Sequence, residues 1–451
     1  MMVDRIKAAL ERAGKKSGRT AADWRIVTVE TERLERYFVR RSMEQARAVD
    51  ETQHTLTVYV DTESEQGKLR GEASVSIQAS LTEDELDDKI GRALLAASKS
   101  KNPWFELPGP AEPSTLPTAS QFQELGMDAG MELSASALFS PEAAGSSDAA
   151  SGAASGARVN SLELFLSREK RSFLNSRGQA FSLAKWKGYT EFVVDCPSKG
   201  GPVELFDDLE FDRPDQERLA EATGSRLAQV ADRARAIPLP RLGDIPVILV
   251  GKEAEDVFGW FFSNAQTTMV FTKASTFAVG KEVQSTLSQP AEPLDLWAEP
   301  DLSGLPASSP FDSDGFPLER TQVIEKGVCK NLVGSIRHAD WLGVERKGAF
   351  PLFSVGPGSE SLASLRSGPY LEPVMFSDFR LDPVTGDFGA EIRLAYWFDG
   401  AERRPVTGGS ISGSVAEFKS TMRFSAERGL ATRSLCPKAV LIHGLSITAG
   451  E

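Results

Sequence analysis

The sequence predicts an α+β protein: an N-terminal α/β lobe of two strand-strand-helix halves, followed by a C-terminal β-rich lobe, sandwich or barrel-like. Three observations carry this. Period-two alternation followed by helical periodicity occurs twice before residue 237. A run of Ser, Ala, Gly and acidic residues separates the two occurrences. After Pro238-Leu239-Pro240, Gly, Pro, Ser and alternating apolar residues come to dominate, and helix-length periodicity becomes rare.

The elements follow in order. Ile6 and Leu10 stand one turn apart and predict an amphipathic helix over 4–14. Leu56, Val58 and Val60 alternate, and after a polar turn over 63–71 so do Ala73, Val75, Ile77 and Ala79: two strands. Thr82-Glu83-Asp84-Glu85 is a capping box, opening a helix with Leu86, Ile90, Leu94 and Ala97 on one face. In the second half Leu162, Leu164 and Leu166 alternate, and Asn175-Ser176-Arg177-Gly178 reads as a turn. Phe181–Trp186 and Thr190–Val194 read as strands. Pro214 opens a helix with Leu219, Leu227 and Val230 inside. Between the halves, 140–157 buries too little apolar surface to offset its ordering entropy and is expected to be a flexible linker. Ile245–Val250 then forms a buried strand and Glu253–Phe262 a helix, ahead of the β-rich remainder. The expected organisation is 1–118, a linker or insert over 119–158, a central α/β domain over 159–237, and a C-terminal domain over 238–451.

Composition narrows the function classes. The chain has 451 residues and a formal net charge of −13. Its basic clusters (Arg40-Arg41, 168–171, Arg403-Arg404) are short and mixed with acids, which does not suit a phosphate backbone, so no nucleic-acid partner is expected. No apolar run is long enough to span a bilayer, and no membrane partner is expected. Residues 1–16 hold no apolar signal core, and three cysteines do not form a disulfide framework; a cytoplasmic location follows as the expectation.

Several motifs fall short of chemistry. Gly251-Lys252 between a strand and a helix lacks the Ser/Thr and the first glycine of a phosphate loop, and Gly280-Lys281 fails similarly. Asp312-Ser313-Asp314-Gly315 lacks the later Glu of a helix-loop-helix calcium site and reads as a polar turn before a strand. Around 408–413 no serine has glycines two positions away on both sides, as a nucleophile elbow requires. Hydrolytic zinc needs three protein ligands and an open position. The three histidines, His54, His338 and His443, are far apart in sequence; a set of His338, His443 and Cys436 is conceivable, with unrelated histidines the simpler reading. Asp399-Gly400 between apolar runs predicts a tight hairpin turn with both residues at positive φ.

Four segments, in order, resemble the TldD/PmbA family, also known as modulator of DNA gyrase. They are Phe173–Gly178; Pro310–Gly315 with Arg320-Thr321 and Ile324–Val328; Gly386-Asp387-Phe388 with Pro405-Val406; and Gly444–Ile447. TldD-type members resemble zinc peptidases and carry His-Glu-x-x-x-His on the helix after the strand that opens the C-terminal half. PmbA-type (TldE) members lack it and pair with a TldD-type chain. Here no histidine occurs from 55 to 337, so the resemblance is to the PmbA/TldE type. It implies a metal-free, non-catalytic subunit of a heterodimeric peptidase acting on small, extended or unfolded peptides, with zinc in the TldD-like partner and no cofactor in this chain. The family's older name reflects peptides acting on gyrase and implies no DNA binding. By the same resemblance Asn175, Gly178, Asp312, Gly315, Gly386, Asp387, Phe388, Pro405 and Val406 are fold or interface positions, with no catalytic or metal-binding residue. The β-rich half would present sheet edges to an extended peptide, the Gly/Ser-rich 407–414 suiting close approach of its backbone. The alternatives are a stand-alone hydrolase with an atypical metal or a Cys nucleophile, and a homodimeric peptide-binding module.

Overall fold

The computed structural model describes residues 2–65, 67–113, 119–145, 156–285 and 291–450. Its N-terminal lobe is one seven-stranded antiparallel sheet with helices packed on it. The first half runs α1 (Met2–Ser17), β1 (Asp23–Val39), β2 (Ser42–Ser64), β3 (Gly67–Ile77), α2 (Glu83–Lys99) and a two-residue edge strand β4 (Asn102–Pro103). The second runs α3 (Phe122–Gly145), β5 (Arg158–Asn175), β6 (Ala180–Cys196), β7 (Val203–Phe211) and α4 (Gln216–Ala234). The strand order β4-β3-β2-β1-β5-β6-β7 places β1 against β5 at the centre, so the halves repeat about the middle of one shared sheet.

Each half holds a long strand that alternation does not reveal, β1 in the first and β7 in the second. β1 was not predicted because its face toward the C-terminal lobe carries Arg25 and other polar groups, which hides the apolar period. Ile26 still joins Leu56, Val58, Val60, Leu86 and Leu94 in one buried cluster. The capping box forms as predicted, Thr82 and Glu85 satisfying each other's backbone N–H. The turn expected over 63–71 is much tighter, since β3 already begins at Gly67, and the two strands expected over 181–194 are the single strand β6.

The stretch expected to begin as linker at 119 is helical from Phe122, apart from a kink at Gly126, whose φ is 77°. Phe122, Met131, Leu138 and Phe139 bury against Leu162, Leu164 and Leu166 of β5. The many Ala, Ser and Gly residues of α3, which suggested disorder, instead leave its surface slim enough to lie close to the sheet. The remainder of the expected flexible run, 146–155, lies outside the described residues.

The C-terminal lobe holds two further sheets, neither closed into a barrel. The six-stranded sheet has the order β12 (Val328–Cys329), β11 (Thr321–Glu325), β10 (Leu296–Glu299), β13 (Leu352–Val355), β20 (Ser434–Pro437), β19 (Arg428–Leu430). The nine-stranded sheet runs β18 (Arg423–Phe424), β21 (Ala439–Ile442), β9 (Val247–Val250), β14 (Tyr370–Leu381), β15 (Asp387–Phe398), β16 (Arg403–Thr407), β8 (Ile237–Pro238), with β17 (Ser410–Ser414) and β22 (Ser446–Thr448) branching from β15. Helix α5 (Gly251–Asn264) shares one core with both sheets. Its Phe258, Trp260, Phe261 and Phe262 are buried beside Leu296 and Phe353 of one sheet and Leu249 and Ile392 of the other, so an apolar residue suits nearly every side of it. Short helices α6 (Thr267–Phe271), α7 (Ile336–Leu342), α8 (Leu362–Leu365) and α9 (Val415–Phe418) complete the lobe.

The β15–β16 hairpin forms, but its turn is longer than predicted. Gly400 alone has positive φ, and the Asp399 carboxylate accepts the N–H groups of Ala401 and Glu402, closing a four-residue loop through the Asp side chain. Among the described residues no helix is long and apolar enough to cross a membrane.

Candidate functional site

Four of the nine positions singled out from sequence meet where the lobes join. In the β5–β6 turn, Asn175 Oδ1 accepts the N–H groups of Arg177 (2.9 Å) and Gln179 (3.0 Å), while its Nδ2 donates to Pro108 O (2.8 Å). Gly178 closes this turn through its N–H to Asn175 O (3.3 Å). Opposite lies the loop from Phe311 to Phe316. Asp312 Oδ1 accepts the N–H of Asp314 (2.8 Å) and of Phe316 (2.9 Å), and Oδ2 accepts that of Ala349 (3.2 Å). The polar turn expected here is present, built around one buried carboxylate.

Gln179 joins the two turns. Its Nε2 donates to Gly315 O (3.1 Å) in the C-terminal lobe and to Ala111 O (3.2 Å), and its Oε1 accepts the N–H of Ala111 (2.9 Å). Arg25 of β1 donates to Ser313 O and to Asp314. Arg337 of α7 pairs with Glu72 of β3 at 2.6 Å. Apolar contact adds to this: Phe181 stacks between Phe173 (5.0 Å) and Phe311 (4.3 Å). Sequence reasoning missed Gln179, Arg25 and Arg337. Each is a single polar residue whose partner is distant along the chain, so no local pattern marks it.

Beside this junction opens a groove of about 460 Å³. Pro108, Pro110 and Phe316 supply apolar walls, and Arg177, Arg346 and Glu106 supply charge. Both arginines already hold carboxylates: Arg177 with Asp23 (2.8 and 3.0 Å) and Arg346 with Asp340.

Burial, reinforced by neighbouring Asp314, pushes Asp312 up to about 6, against the pull of its three N–H donors. The folded value lies above the ordinary 3.8, so the folded state holds the proton more tightly than the unfolded chain. The Asp312 contribution is therefore most favourable below about 4 and is lost as pH rises through about 6. Thermal melts of the wild type should show stability falling between about pH 4 and 6, and Asp312→Asn should flatten that slope; an unchanged slope in the variant would contradict the assignment.

The other five positions lie in the nine-stranded sheet. A Cβ on Gly386 would lie 3.1 Å from Trp260 Nε1. Asp387 begins β15, and Phe388 is buried against Phe379 and Phe418. Val406 is fully buried between Ala395 and Ile237, and Pro405 stands opposite Tyr396. The Gly/Ser-rich segment is not a free edge: β17 pairs on one side with β15 and on the other with β22. The backbone that comes close there is the chain's own, since a Cβ on Gly409 would sit 2.2 Å from Thr448 O. The edge expected there for a peptide is thus occupied by the closing strand.

Among the described residues no group of three or more His, Cys, Asp and Glu side chains is placed to hold a metal ion. His54 meets Thr28 (2.8 Å) inside the N-terminal sheet, His338 meets Thr268 (3.0 Å) at α6, and His443 is exposed. Burial pushes the Cys436 thiol up to about 12 and Cys329 up to about 11; Cys196 is raised by burial and by Asp195. All three are buried and held as thiols, which does not suit a nucleophile. On α5, Glu255 is buried, and its two oxygens accept the N–H groups of Thr432 (3.0 Å) and Arg433 (2.7 Å).

Residues 242–449 match the PmbA/TldA metallopeptidase C-terminal domain. An uncharacterized protein of Methanocaldococcus jannaschii is 28% identical over 132 residues, which cover 24% of this chain and 29% of that protein. Solved structures share the fold at low identity. TldE from Thermococcus kodakarensis aligns over 99% of this chain and 100% of its own, at 16% identity and a TM-score of 0.74. A proposed modulator of a DNA gyrase from Thermotoga maritima aligns over 99% and 100%, at 15% identity and a TM-score of 0.77. One from Bacteroides thetaiotaomicron aligns over 100% of both chains, at 15% identity and a TM-score of 0.76.

Proposed function

The chain belongs to the TldD/PmbA family through the C-terminal domain at 242–449, and from that premise we propose that it is the metal-free subunit of a peptidase assembly, similar to PmbA/TldE and paired with a TldD-like chain that carries the zinc. One observation carries the reading. Helix α5, which follows the strand β9 that opens the domain, has no histidine, and its buried carboxylate Glu255 has both oxygens engaged by backbone N–H groups. A zinc ion requires deprotonated thiols, neutral imidazoles or free carboxylates. The scattered histidines, His54 on Thr28 and His338 on Thr268, add to the misfit.

The role left to the chain is structural. It supplies a rigid body against which the peptidase subunit is held, and it helps confine small, extended or unfolded peptides at the shared site. The nine signature positions act as fold or interface positions. The Asn175–Gly178 turn and the Asp312–Gly315 loop fix how one lobe sits on the other, and the remaining five support the sheet that carries α5.

Affinity purification from the native host tests this. A chain with His-Glu-x-x-x-His is expected to co-purify, and metal analysis should find zinc in the complex and none in the isolated chain. Stoichiometric zinc in the isolated chain, or peptide hydrolysis by it alone, would sink the reading.

A further inference from the structure

Strand β7 ends opposite Gly188. From Ala180 to Lys187, β6 therefore pairs only with β5, and among the described residues no strand covers its outer side. A cavity of about 220 Å³ opens there. Leu183, Lys185 and Trp186 of β6 form one wall, and Leu305, Pro306 and Pro310 of the C-terminal lobe form another. Among the described residues that line it, Lys185 is the basic one.

Lys185 has a second cation as neighbour. In the β5–β6 register Arg171 stands opposite Leu183, and Glu169 stands opposite Lys185. Arg171 and Lys185 are thus diagonal neighbours on the face that carries Phe173 and Phe181, the face turned to the Phe311 loop. Diagonal positions lie about 7–8 Å apart, within reach of two long side chains. Both residues are half-buried, and among the described residues neither makes a hydrogen bond or an ion pair. The Arg171 Nε is fully buried without a partner. The acids nearby are engaged elsewhere or turned to solvent. Asp312 is held by three backbone N–H groups, Asp314 by Arg25, and Asp212 by Arg213 and the Gly304 N–H. Glu169 is exposed. Burial and Arg25 lower Arg171, and burial and Arg171 lower Lys185 to about 8. Two cations held side by side without a counter-ion cost stability, and a bound anion would offset that cost.

We propose that Arg171 and Lys185 bind the carboxylate of a small organic acid, whose apolar part lies in the cavity against Leu183, Pro306 and Pro310. The Arg171 guanidinium offers the planar fork that fits a carboxylate, and the Lys185 ammonium adds a point charge from the next strand. The apolar walls favour an acid with a hydrocarbon tail over inorganic phosphate. No residue of α5 takes part, so the site does not rest on the metal-free assignment.

Calorimetric titration of the full chain with N-acetylleucine tests this, with a Kd of about 1 mM or tighter expected. N-acetylleucinamide lacks the carboxylate, acetate lacks the tail, and inorganic phosphate lacks both; each should bind at least about tenfold more weakly. Arg171→Gln and Lys185→Gln should each weaken N-acetylleucine binding at least about tenfold. Lys170→Gln should not, because Lys170 lies on the opposite face and pairs with Glu30. Without the acid, Arg171→Gln and Lys185→Gln should melt at or above the wild-type temperature, since each removes a charge that the fold leaves uncompensated. Saturation with N-acetylleucine should also raise the titration midpoint of Lys185 above about 8, read by NMR of isotopically dimethylated lysines, because an adjacent anion favours the ammonium. Absence of N-acetylleucine binding, equal binding of the amide or of phosphate, unchanged binding in either variant, or a lowered melting point in both variants would each overturn the proposal.

Discussion

Arg70→Met is expected to destabilise the N-terminal lobe by about 3 kcal/mol, read as a lowered thermal midpoint. Arg70 is 1% exposed. Its guanidinium binds Asp61 through Nε (2.7 Å) and Nη2 (3.0 Å) and Asp23 through Nη2 (2.7 Å), and it lies over the rings of Tyr59, Trp104 and Phe105. Removing one partner of a buried ion pair costs about 3–5 kcal/mol because the other charge is left without compensation. The lower end applies here. Asp23 keeps Arg177 and Ser176, and Asp61 keeps Lys68 and Trp104. The double variant Arg70→Met/Asp61→Asn should recover part of the loss, which simple loss of packing by Arg70 would not allow. Acid adds a second readout. Burial raises Asp61, but the hydrogen bonds from Arg70 and Lys68 outweigh it and hold Asp61 at about 2. Its folded value is below the ordinary 3.8, so its stabilisation is complete above about 4 and is lost as pH falls toward 2. The variant should give up part of that dependence. A wild-type melting point at neutral pH would refute the assignment.

Arg70 also shows which parts of the fold could be read from sequence. Elements with a local signature were legible: the alternation of β2 and β3, the capping box of α2, the start of α4 after Pro214, and the apolar run of β9. Local chemistry dictates those, and long-range packing only reinforces it. Elements stabilised across the junction were not. β1 faces the C-terminal lobe with Arg25, so its pattern reads as charged although its opposite face buries Ile26. α3 reads as low-complexity because small residues suit both a flexible chain and a helix lying close on a sheet. The Gly/Ser-rich 407–414 correctly signalled a close backbone approach, but a sequence pattern cannot tell whether the approaching strand is foreign or the chain's own β22. At the candidate site, the turns at Asn175 and Asp312 were legible from their glycines and Asx residues. Their meeting through Gln179 was not, since it depends on the docking of two lobes.

Gly315→Val should cost about 4 kcal/mol and loosen one lobe from the other. Two independent terms add. Gly315 has φ of 85°, a conformation that a β-branched residue occupies only under strain, worth about 1–3 kcal/mol. A Cβ there would also lie 2.6 Å from Phe173 Cε1 and 2.7 Å from its Cζ, an overlap that relaxes only if the ring or the loop moves, at about 1–3 kcal/mol more. Phe173 is 2% exposed and stacked on Phe181, which in turn stacks on Phe311, so the ring has little freedom and the loop must give way. A displaced loop loses the Gln179 to Gly315 hydrogen bond and pulls Ser313 and Asp314 from Arg25, polar ties of this loop to the N-terminal lobe. Calorimetry should show one transition for the wild type and two for the variant, with the N-terminal lobe close to the wild-type midpoint. Amide exchange should rise at 312–316 and at 175–179 together. Gly178→Ala is the matched control, because it imposes positive-φ strain where the nearest atom to the added Cβ is Pro110 Cγ at 3.4 Å, and it should cost only about 1 kcal/mol. Equal effects from the two substitutions would mean that backbone strain alone matters and that Gly315 does not seat the lobes; an unsplit transition with Gly315→Val would mean that the stacked rings hold them without the loop.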